Sequence, residues 1–248
     1  MQRDVIVTDD GSSSIAIPEM NVTYHSKHGA IQESQHIFIR EGFDFVMSAA
    51  QREKLNIFEV GFGTGLNALL TLARAEAIQQ QTYYTAIELF PVTTVEAAKL
   101  NYCDQLARPD LAAAFEKLHS SSWEHFHKIT SCFNLCKLRV GLLDLPAAAA
   151  MKRGPVPTAE ESSPQTNGFI TPGGFDLIYF DAFAPAAQPE LWSADAFKLI
   201  QHLMSPGGVL LTYCSKSSVR KAMQEAGLRV TKLPGPPGKR EIVRAFKD

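Results

Sequence analysis

A glycine-rich loop between an apolar strand and a helix is the feature that most constrains this chain. Residues 55–60 are apolar enough for a buried strand, and residues 66–78 combine helical spacing with strong helix formers. Between them lies Gly61-Phe62-Gly63-Thr64-Gly65. Glycines let the backbone adopt positive φ and approach a ligand closely, and a helix start offers free N–H groups. The segment therefore predicts the ligand-binding strand–loop–helix unit of an α/β fold.

The rest of the chain repeats this alternation of strands and helices. Further strands are predicted at residues 82–87, 137–143, 175–180, 208–213, 228–233 and 241–246, with helices between most of them. Such alternation is typical of a Rossmann-like, doubly wound, mainly parallel α/β sheet, here of seven strands. We expect a small N-terminal extension at residues 1–40, which ends in a short strand at 36–40. The main domain would span 41–248, with a flexible surface loop at 152–174, where Pro, Gly, Ser and Thr are frequent.

Composition excludes several classes of protein. Apolar residues make up 45% and charged residues 20% of the 248 residues, as in folded globular proteins and unlike disordered or fibrous ones. No apolar run approaches the roughly 20 residues of a membrane helix, and the polar first ten residues show no secretory signal. The four cysteines form no CxxC pair, which favours buried thiols over a zinc site. We expect a cytoplasmic protein without membrane contact.

Charge is unevenly distributed along the chain. From Tyr213 to the end there are nine Lys or Arg and three Asp or Glu, whereas the first 212 residues hold 15 basic and 23 acidic residues. A basic segment of this kind can bind phosphates although the net charge is −2. The alternative is a basic face that contacts only solvent.

The spacing of the glycine loop favours one kind of ligand. A dinucleotide fingerprint would place its third glycine at position 66, which is Leu66. Glu59, directly before the loop, would repel a pyrophosphate but attract an ammonium group. The pattern therefore fits the amino-acid end of S-adenosylmethionine better than a dinucleotide. A tight turn without a ligand is the alternative.

Acidic residues follow three further predicted strands, at the edge where open α/β sheets bind ligands. Glu88 is placed to accept hydrogen bonds from ribose hydroxyls, and Asp144 to accept one from the adenine amine. Asp181 would lie across from the glycine loop, where a carboxylate orients an amine for methylation. The alternatives are an exposed strand end for Glu88, a turn former for Asp144, and a cap of the following loop for Asp181. Because an ordinary Asp has a pKa of about 3.9, orientation is expected rather than general-base action.

No metal or hydrolase motif is present. HExxH, GxSxG and GxxxxGK[ST] are all absent, and the seven histidines show no spacing typical of metal ligands. We therefore expect no metal.

Together these motifs resemble the methyltransferase family that completes 5-methylaminomethyl-2-thiouridine at the tRNA wobble position. The resemblance spans roughly residues 20–246. Its elements are the glycine loop EVGFGTGLN (59–67), DAFAP (181–185) followed by PELW (189–192), SPGG (205–208), GKRE (238–241), and an early segment with Tyr24-His25-Ser26, Gly29, Gln32-Glu33 and His36. The DAFAP–PELW and GKRE elements are more specific than the glycine loop, which many methyltransferases share.

The resemblance implies a class I S-adenosylmethionine-dependent fold and an enzyme that methylates the 5-aminomethyl group of a wobble uridine in tRNA. Asp181 is the implied catalytic residue. The implied cofactor residues are Glu59, Gly61, Phe62, Gly63, Gly65, Asn67, Glu88 and Asp144. The implied substrate residues are Tyr24, Phe183, Lys239 and Arg240.

The chain departs from the best-known members of that family, which join the methyltransferase to a flavin-dependent oxidase. It contains no second glycine fingerprint, so we expect no FAD here and a separate upstream supply of the aminomethyl group. Two other functions stay open. One is methylation of a small-molecule or protein amine by the same fold. The other is a nucleotide-binding module without catalysis.

Overall fold

Two β-sheets and the helices packed on them form the fold in a computed structural model that describes residues 2–50, 52–146 and 174–248. The predicted loop at 152–174 lies, apart from Gly174, outside these residues. The strands are β1 (Asp4–Val7), β2 (Ser13–Ile17), β3 (Val22–Thr23), β4 (Lys54–Val60), β5 (Gln81–Ile87), β6 (Phe126–Lys128), β7 (Phe133–Leu138), β8 (Phe175–Phe180), β9 (Met204–Thr212), β10 (Arg229–Pro234) and β11 (Glu241–Phe246).

The helices cover both faces of the larger sheet. They are α1 (Ala30–Ser34), a π-helix (Gln35–Asp44), α2 (Phe45–Ala49), α3 (Leu66–Ile78), α4 (Thr94–Ala97), α5 (Tyr102–Gln105), α6 (Ala112–Ser120), α7 (Ala194–Leu203) and α8 (Ser217–Glu225). Single 3₁₀ turns occur at Pro18–Met20, Pro109–Leu111, Leu142–Asp144 and Pro189–Trp192. No helix among residues 2–50, 52–146 and 174–248 has the length and apolarity to cross a bilayer.

The larger sheet has the order β10-β11-β9-β8-β4-β5-β7-β6 and is parallel from β9 to β7. This confirms the predicted α/β class, but the predicted number of seven strands is too small. The additional strand, β6, pairs antiparallel with β7 at the edge. It packs the Phe126 ring 6.2 Å from the Tyr83 ring. A strand of three residues is too short for its alternation to be visible in the sequence.

Two other predicted elements differ in the structure. The predicted strand at 36–40 is instead part of the π-helix, in which Ile37, Phe38 and Phe43 are buried and the Phe38 ring lies 4.9 Å from the Tyr179 ring. Its five residues are too few to separate alternation from a helical face. The predicted end of the N-terminal extension, residue 40, lies within this helix, and that division stays a prediction. The strand predicted at 137–143 overlaps β7 at residues 137–138 only, because β7 begins at Phe133 and ends at Leu138.

The strand register brings three chain segments to one edge of the sheet. Val60 pairs with Ile87 on one side and with Phe180 on the other. The residues that follow them, Gly61, Glu88 and Asp181, therefore emerge side by side. Because the carboxyl ends of parallel strands form the ligand-binding edge of open α/β sheets, this register positions the candidate site.

The smaller sheet, β1–β2–β3, contacts the segments that follow β5 at that edge. Arg3 donates a hydrogen bond of 2.9 Å to the Pro91 carbonyl and forms an ion pair of 3.3 Å with Glu96. Asn101 Oδ1 accepts hydrogen bonds from the backbone N–H and the hydroxyl of Ser13. The N-terminal segment is thus attached to the segments that follow β5.

Candidate active site

A cavity of about 540 Å³ opens at the carboxyl ends of β4, β5 and β8. Of the residues predicted from the sequence, its walls include Tyr24, Gly61, Phe62, Gly63, Asn67, Glu88, Asp144, Asp181 and Phe183. Four other predicted residues, Glu59, Gly65, Lys239 and Arg240, do not line it. The tertiary structure thus unites most of the predicted site, although its members are up to 159 positions apart in the chain.

The glycine loop forms one wall of this cavity. Gly61 has φ +91°, and a Cβ atom there would lie 2.8 Å from the Asp181 carbonyl oxygen. Gly63 has φ +51°, and its Cβ would lie 2.9 Å from the Tyr24 ring. Side chains at these positions would therefore be strained and would collide with the facing wall. The absence of side chains leaves the backbone open to the cavity.

Glu88 ties the loop to the end of β5. One of its carboxylate oxygens accepts a hydrogen bond of 3.0 Å from the Gly63 N–H, and the other accepts one of 2.8 Å from the Phe90 N–H. The carboxylate lines the cavity at the same time. It therefore both shapes the glycine loop and presents acceptor oxygens to a ligand.

We expect Glu88→Ala to weaken S-adenosylmethionine binding about tenfold or more. The substitution removes a charged acceptor whose hydrogen bonds are worth roughly 1.5–3 kcal/mol each. Calorimetry with folded protein measures this effect. The exposed carboxylate of Glu116 on α6 supplies the control, because Glu116→Ala leaves the loop intact. Unchanged affinity in Glu88→Ala would remove this residue from the site.

Asp144 lines the cavity, but from a different structural element than the one predicted. It is not at a strand end: β7 ends six residues earlier, and Asp144 closes the 3₁₀ turn Leu142–Asp144. Its side chain is exposed and lines the cavity rim. The apolar residues 138, 140 and 142–143 place the predicted strand at 137–143, mostly beyond the end of β7.

Asn67 connects two carboxylates. Its Nδ2 donates hydrogen bonds of 2.9 Å to Glu59 and of 2.9 Å to Asp181. Glu59 is fully buried, and burial, together with the nearby charge of Asp181, raises its pKa well above the ordinary value. Asn67 lines the cavity, and its Oδ1 is buried and has no hydrogen-bond partner among the described residues. Glu59 itself does not line the cavity; it is hydrogen-bonded to Asn67, which does.

Asp181 is half-buried at the cavity wall. Burial raises its pKa to about 7, and the charge of Glu33 raises it further, whereas the Asn67 hydrogen bond and the charge of Lys239 act in the opposite direction. At neutral pH the carboxylate is therefore close to its midpoint of titration. This differs from the ordinary Asp expected from the sequence, and it makes Asp181 a competent proton acceptor as well as an orienting group.

Aromatic rings form the wall next to Asp181. The Tyr24 and Phe183 rings meet edge to face with centroids 5.1 Å apart. The Phe183 carbonyl accepts a hydrogen bond of 2.8 Å from the Trp192 indole N–H. The loop that carries Asp181 and Phe183 is thus fixed by the nearby PELW segment.

His25 is a site residue that the sequence analysis did not assign. It lines the cavity, with its ring nitrogens 3.3 Å from the Ser14 hydroxyl and 3.5 Å from the Thr64 hydroxyl. Burial lowers its pKa to about 4, so the imidazole is neutral at physiological pH. It joins the smaller sheet to the glycine loop. The only sequence signal was its place beside Tyr24.

Most Lys and Arg side chains of the basic C-terminal segment already have partners within the protein. Four of them form ion pairs: Arg229 with Asp248, Lys232 with Glu241, Lys239 with Glu33, and Arg244 with Glu41. Lys247 donates to two carbonyl oxygens, and Arg220 donates to a carbonyl and a hydroxyl oxygen. Within the part of the chain that the structure describes, Lys216, Lys221 and Arg240 are exposed and make no ion pair or side-chain hydrogen bond. These three are the cations of this segment that are available to an external anion.

The described ranges contain no metal-binding cluster. No three His, Cys, Asp or Glu residues in them are grouped so that they could hold a metal ion. Cys132, Cys136 and Cys214 are buried, and Cys103 is partly exposed.

Comparisons with known proteins confirm the predicted resemblance. A family model described as S-adenosyl-L-methionine-dependent methyltransferase matches residues 159–248. The tRNA 5-methylaminomethyl-2-thiouridine biosynthesis bifunctional protein MnmC of Aromatoleum aromaticum is 30% identical over 241 residues, which cover 96% of this chain and 34% of that protein. The MnmC protein of Paraburkholderia xenovorans is 26% identical over 223 residues, which cover 89% of this chain and 31% of the relative. The chain thus spans about a third of the length of these relatives.

Solved structures confirm the fold. MNMC2 from Aquifex aeolicus matches with a TM-score of 0.67 and 21% identity, over 98% of this chain and 70% of the other. Spermidine synthase from Thermotoga maritima matches with a TM-score of 0.54 and 11% identity, over 99% of this chain and 68% of the other.

Proposed function

We propose that this chain, which is similar along almost its whole length to one third of the MnmC proteins, transfers a methyl group from S-adenosylmethionine to an amine of tRNA. The amine is the 5-aminomethyl group of a wobble uridine, and the product is 5-methylaminomethyluridine with or without the 2-thio group. The observation that carries this proposal is the position of Asp181, half-buried at the cavity wall beside the glycine loop, with a pKa that burial raises to about 7.

The residues present fit the methyl donor. The glycine loop leaves an open backbone for its amino-acid end, and the unpartnered Asn67 Oδ1 supplies an acceptor for its ammonium group. Glu88 offers acceptor oxygens to the ribose, and Asp144 lies at the rim where the adenine amine would be reached. When bound, the sulfonium supplies an electrophilic methyl group.

The residues of the chain then have to prepare the amine. A primary alkylamine is protonated in neutral solution and has no lone pair for attack. Asp181 binds the ammonium form, accepts one proton and holds the neutral amine in line with the methyl group. Once that proton has passed to solvent water, the Asp181 carboxylate stabilises the positive charge that appears on nitrogen as the N–C bond forms and the S–C bond of the donor breaks.

The substrate is large and anionic, so exposed cations should contribute to its binding. We expect the triple substitution of Lys216, Lys221 and Arg240 by Ala to weaken tRNA binding. The slope of log K against log salt should fall by about one unit for each phosphate that the variant no longer binds. Filter binding over a salt series measures both. The control is Lys198→Ala, because that exposed cation is paired with Asp195. A triple variant with wild-type affinity and slope would contradict this placement.

The activity itself is tested by methyl transfer from labelled S-adenosylmethionine to tRNA that carries 5-aminomethyluridine, followed by nucleoside analysis. Label in 5-methylaminomethyluridine supports the proposal. Label in free small amines or proteins, with none in tRNA, would instead support another N-methyltransferase of this fold. If calorimetry detects no binding of S-adenosylmethionine, the chain is instead a nucleotide-binding module without catalysis. Separate enzymes as the source of the aminomethyl group, and a cytoplasmic location, stay predictions.

A further inference from the structure

Four polar side chains from separate parts of the chain meet beside the glycine loop. They are Ser14 of β2, His25 after β3, Thr64 of the loop and Tyr102 of α5. His25 Nδ1 lies 3.3 Å from the Ser14 hydroxyl oxygen, and His25 Nε2 lies 3.5 Å from the Thr64 hydroxyl oxygen. The Tyr102 hydroxyl is 2.9 Å from the same Thr64 oxygen. All four side chains are buried, and two of them, His25 and Thr64, line the cavity.

The Ser14 hydroxyl fixes the tautomer of His25. The Ser14 oxygen accepts a hydrogen bond of 3.1 Å from the His25 backbone N–H. Ser14 is fully buried, and in the described part of the chain its own hydrogen has one acceptor within reach, His25 Nδ1. Because a buried hydroxyl hydrogen without an acceptor costs free energy, Ser14 donates to Nδ1. Burial lowers the pKa of His25 to about 4, so the neutral imidazole carries its single hydrogen on Nε2.

The Thr64 hydroxyl oxygen accepts hydrogen bonds from two sides. One comes from His25 Nε2–H, and the other comes from Tyr102, whose buried hydroxyl has no second acceptor among residues 2–50, 52–146 and 174–248. A hydroxyl oxygen has two lone pairs, so both are occupied. Both neighbours of Thr64 are donors, and neither can accept its hydrogen. Thr64 is therefore left as a donor at the cavity wall.

A donor at this position complements the amino-acid end of S-adenosylmethionine. That end carries an ammonium group, which needs an acceptor, and a carboxylate, which needs donors. Asn67 Oδ1 is the buried acceptor without a partner in the described ranges, and Asn67 lines the same cavity as Thr64. Because the Thr64 oxygen can accept no further hydrogen bond, this hydroxyl suits the carboxylate and not the ammonium group.

We propose that the Thr64 hydroxyl donates a hydrogen bond to the carboxylate of S-adenosylmethionine, and that His25 is a positioning residue that holds this hydroxyl in the donating orientation. Ser14 acts through His25, because its hydrogen bond to Nδ1 keeps the imidazole hydrogen on Nε2. The smaller N-terminal sheet thus takes part in recognising the methyl donor. The inference holds whichever amine receives the methyl group.

Nitrogen-15 NMR of the imidazole groups tests the direction of these hydrogen bonds. The spectrum of His25→Gln identifies which of the seven histidine signals belong to His25. Near neutral pH we expect the shift of an unprotonated nitrogen for Nδ1 and that of a protonated nitrogen for Nε2. A hydrogen on Nδ1 would overturn the proposal, because Thr64 would then donate its hydrogen to Nε2 and have none for a ligand.

Calorimetry with two ligands tests the contact with the carboxylate. We expect Thr64→Val to weaken binding of S-adenosylmethionine about tenfold, the effect of losing one charge-assisted hydrogen bond. Thr64→Ser keeps the hydroxyl and should bind like wild type. Decarboxylated S-adenosylmethionine keeps the sulfonium and the ammonium group, and Thr64→Val should bind it within about twofold of wild type, because the acceptor is gone. An equal loss for both ligands would show that Thr64 only shapes the loop, and the proposal would be wrong.

Two further variants separate positioning from folding. His25→Leu should weaken binding of S-adenosylmethionine about fivefold, the scale of one neutral hydrogen bond, and leave binding of the decarboxylated ligand nearly unchanged. A loss of affinity for both ligands alike would remove the positioning role of His25. Thr82→Val is the matched control, because its buried hydroxyl, at the opposite end of β5 from Glu88, donates to the Gln80 carbonyl at 3.2 Å. It should lower the melting temperature and bind both ligands like wild type.

Discussion

Asp181→Asn should reduce single-turnover methyl transfer by roughly 100-fold or more, the scale on which one preorganised electrostatic contact acts. The variant keeps the side-chain shape and an oxygen that accepts the Asn67 hydrogen bond, so S-adenosylmethionine should bind with nearly unchanged affinity. It loses both the negative charge and the capacity to accept a proton. Single-turnover methylation measured alongside calorimetry separates the two effects. Transfer at the wild-type rate would end the catalytic assignment.

The pH dependence gives this prediction a second readout. Because the Asp181 pKa is raised from 3.8 to about 7, the wild-type rate should rise as pH increases through about 7, and the Asn variant should lack this rise. Stability should change in the opposite direction. The folded protein holds the Asp181 proton more tightly than the unfolded chain, so this group's contribution to stability falls as pH rises from about 3.8 to about 7. Above pH 7, Asp181→Asn should therefore melt at a higher temperature than wild type.

Asp176 supplies the matched control, because it is a carboxylate on the same strand at the opposite end. It forms an ion pair of 2.7 Å with Arg52 and accepts a hydrogen bond from the Asn56 N–H. Asp176→Asn should lower the melting temperature and leave the single-turnover rate of the folded protein unchanged. If Asp181→Asn and Asp176→Asn each lowered both stability and activity, the role of Asp181 would be structural.

Gly61→Ala should remove detectable S-adenosylmethionine binding at micromolar protein concentrations. The new Cβ would lie 2.8 Å from the Asp181 carbonyl oxygen, so strand β8 or the loop must move at the point where the ligand binds. The strain of φ +91° at a non-glycine residue, of order 1–2 kcal/mol, adds to this clash. Binding is measured by calorimetry, with circular dichroism to verify folding.

Gly227→Ala separates backbone strain from the steric clash. Gly227 has φ +83°, similar to Gly61, but a Cβ there would meet no atom within 4 Å. This variant should lose about 1 kcal/mol of stability and retain cofactor binding. If both glycine variants bind S-adenosylmethionine equally well, the close approach of the loop to Asp181 has no part in forming the site.

Much of the site was predictable because it depends on local chemistry at strand ends. Gly61 and Glu88 follow paired strands whose apolar residues are contiguous in the sequence, and Asp181 follows a third. The elements that were wrongly predicted are short or irregular. Three-residue β6 is too short for a period to be read, and the π-helix at Gln35–Asp44 departs from the 3.6-residue period of an α-helix. The position of Asp144 was misjudged because the apolar residues after β7 continue into a turn.

Residue type and spacing over a few neighbours were enough to establish the parallel α/β core, the glycine loop and the acids around it. What those acids do depends on contacts between distant parts of the chain. Burial shifts the pKa of Asp181, Asn67 joins it to Glu59, and Glu33 from the N-terminal region meets Lys239, 206 positions later in the chain. The pairing of Glu33 with Lys239 also shows that charge counted along the chain is not charge available at the surface. Electrostatic environment depends on distance and solvent exclusion in three dimensions, and neither quantity is encoded in local sequence spacing.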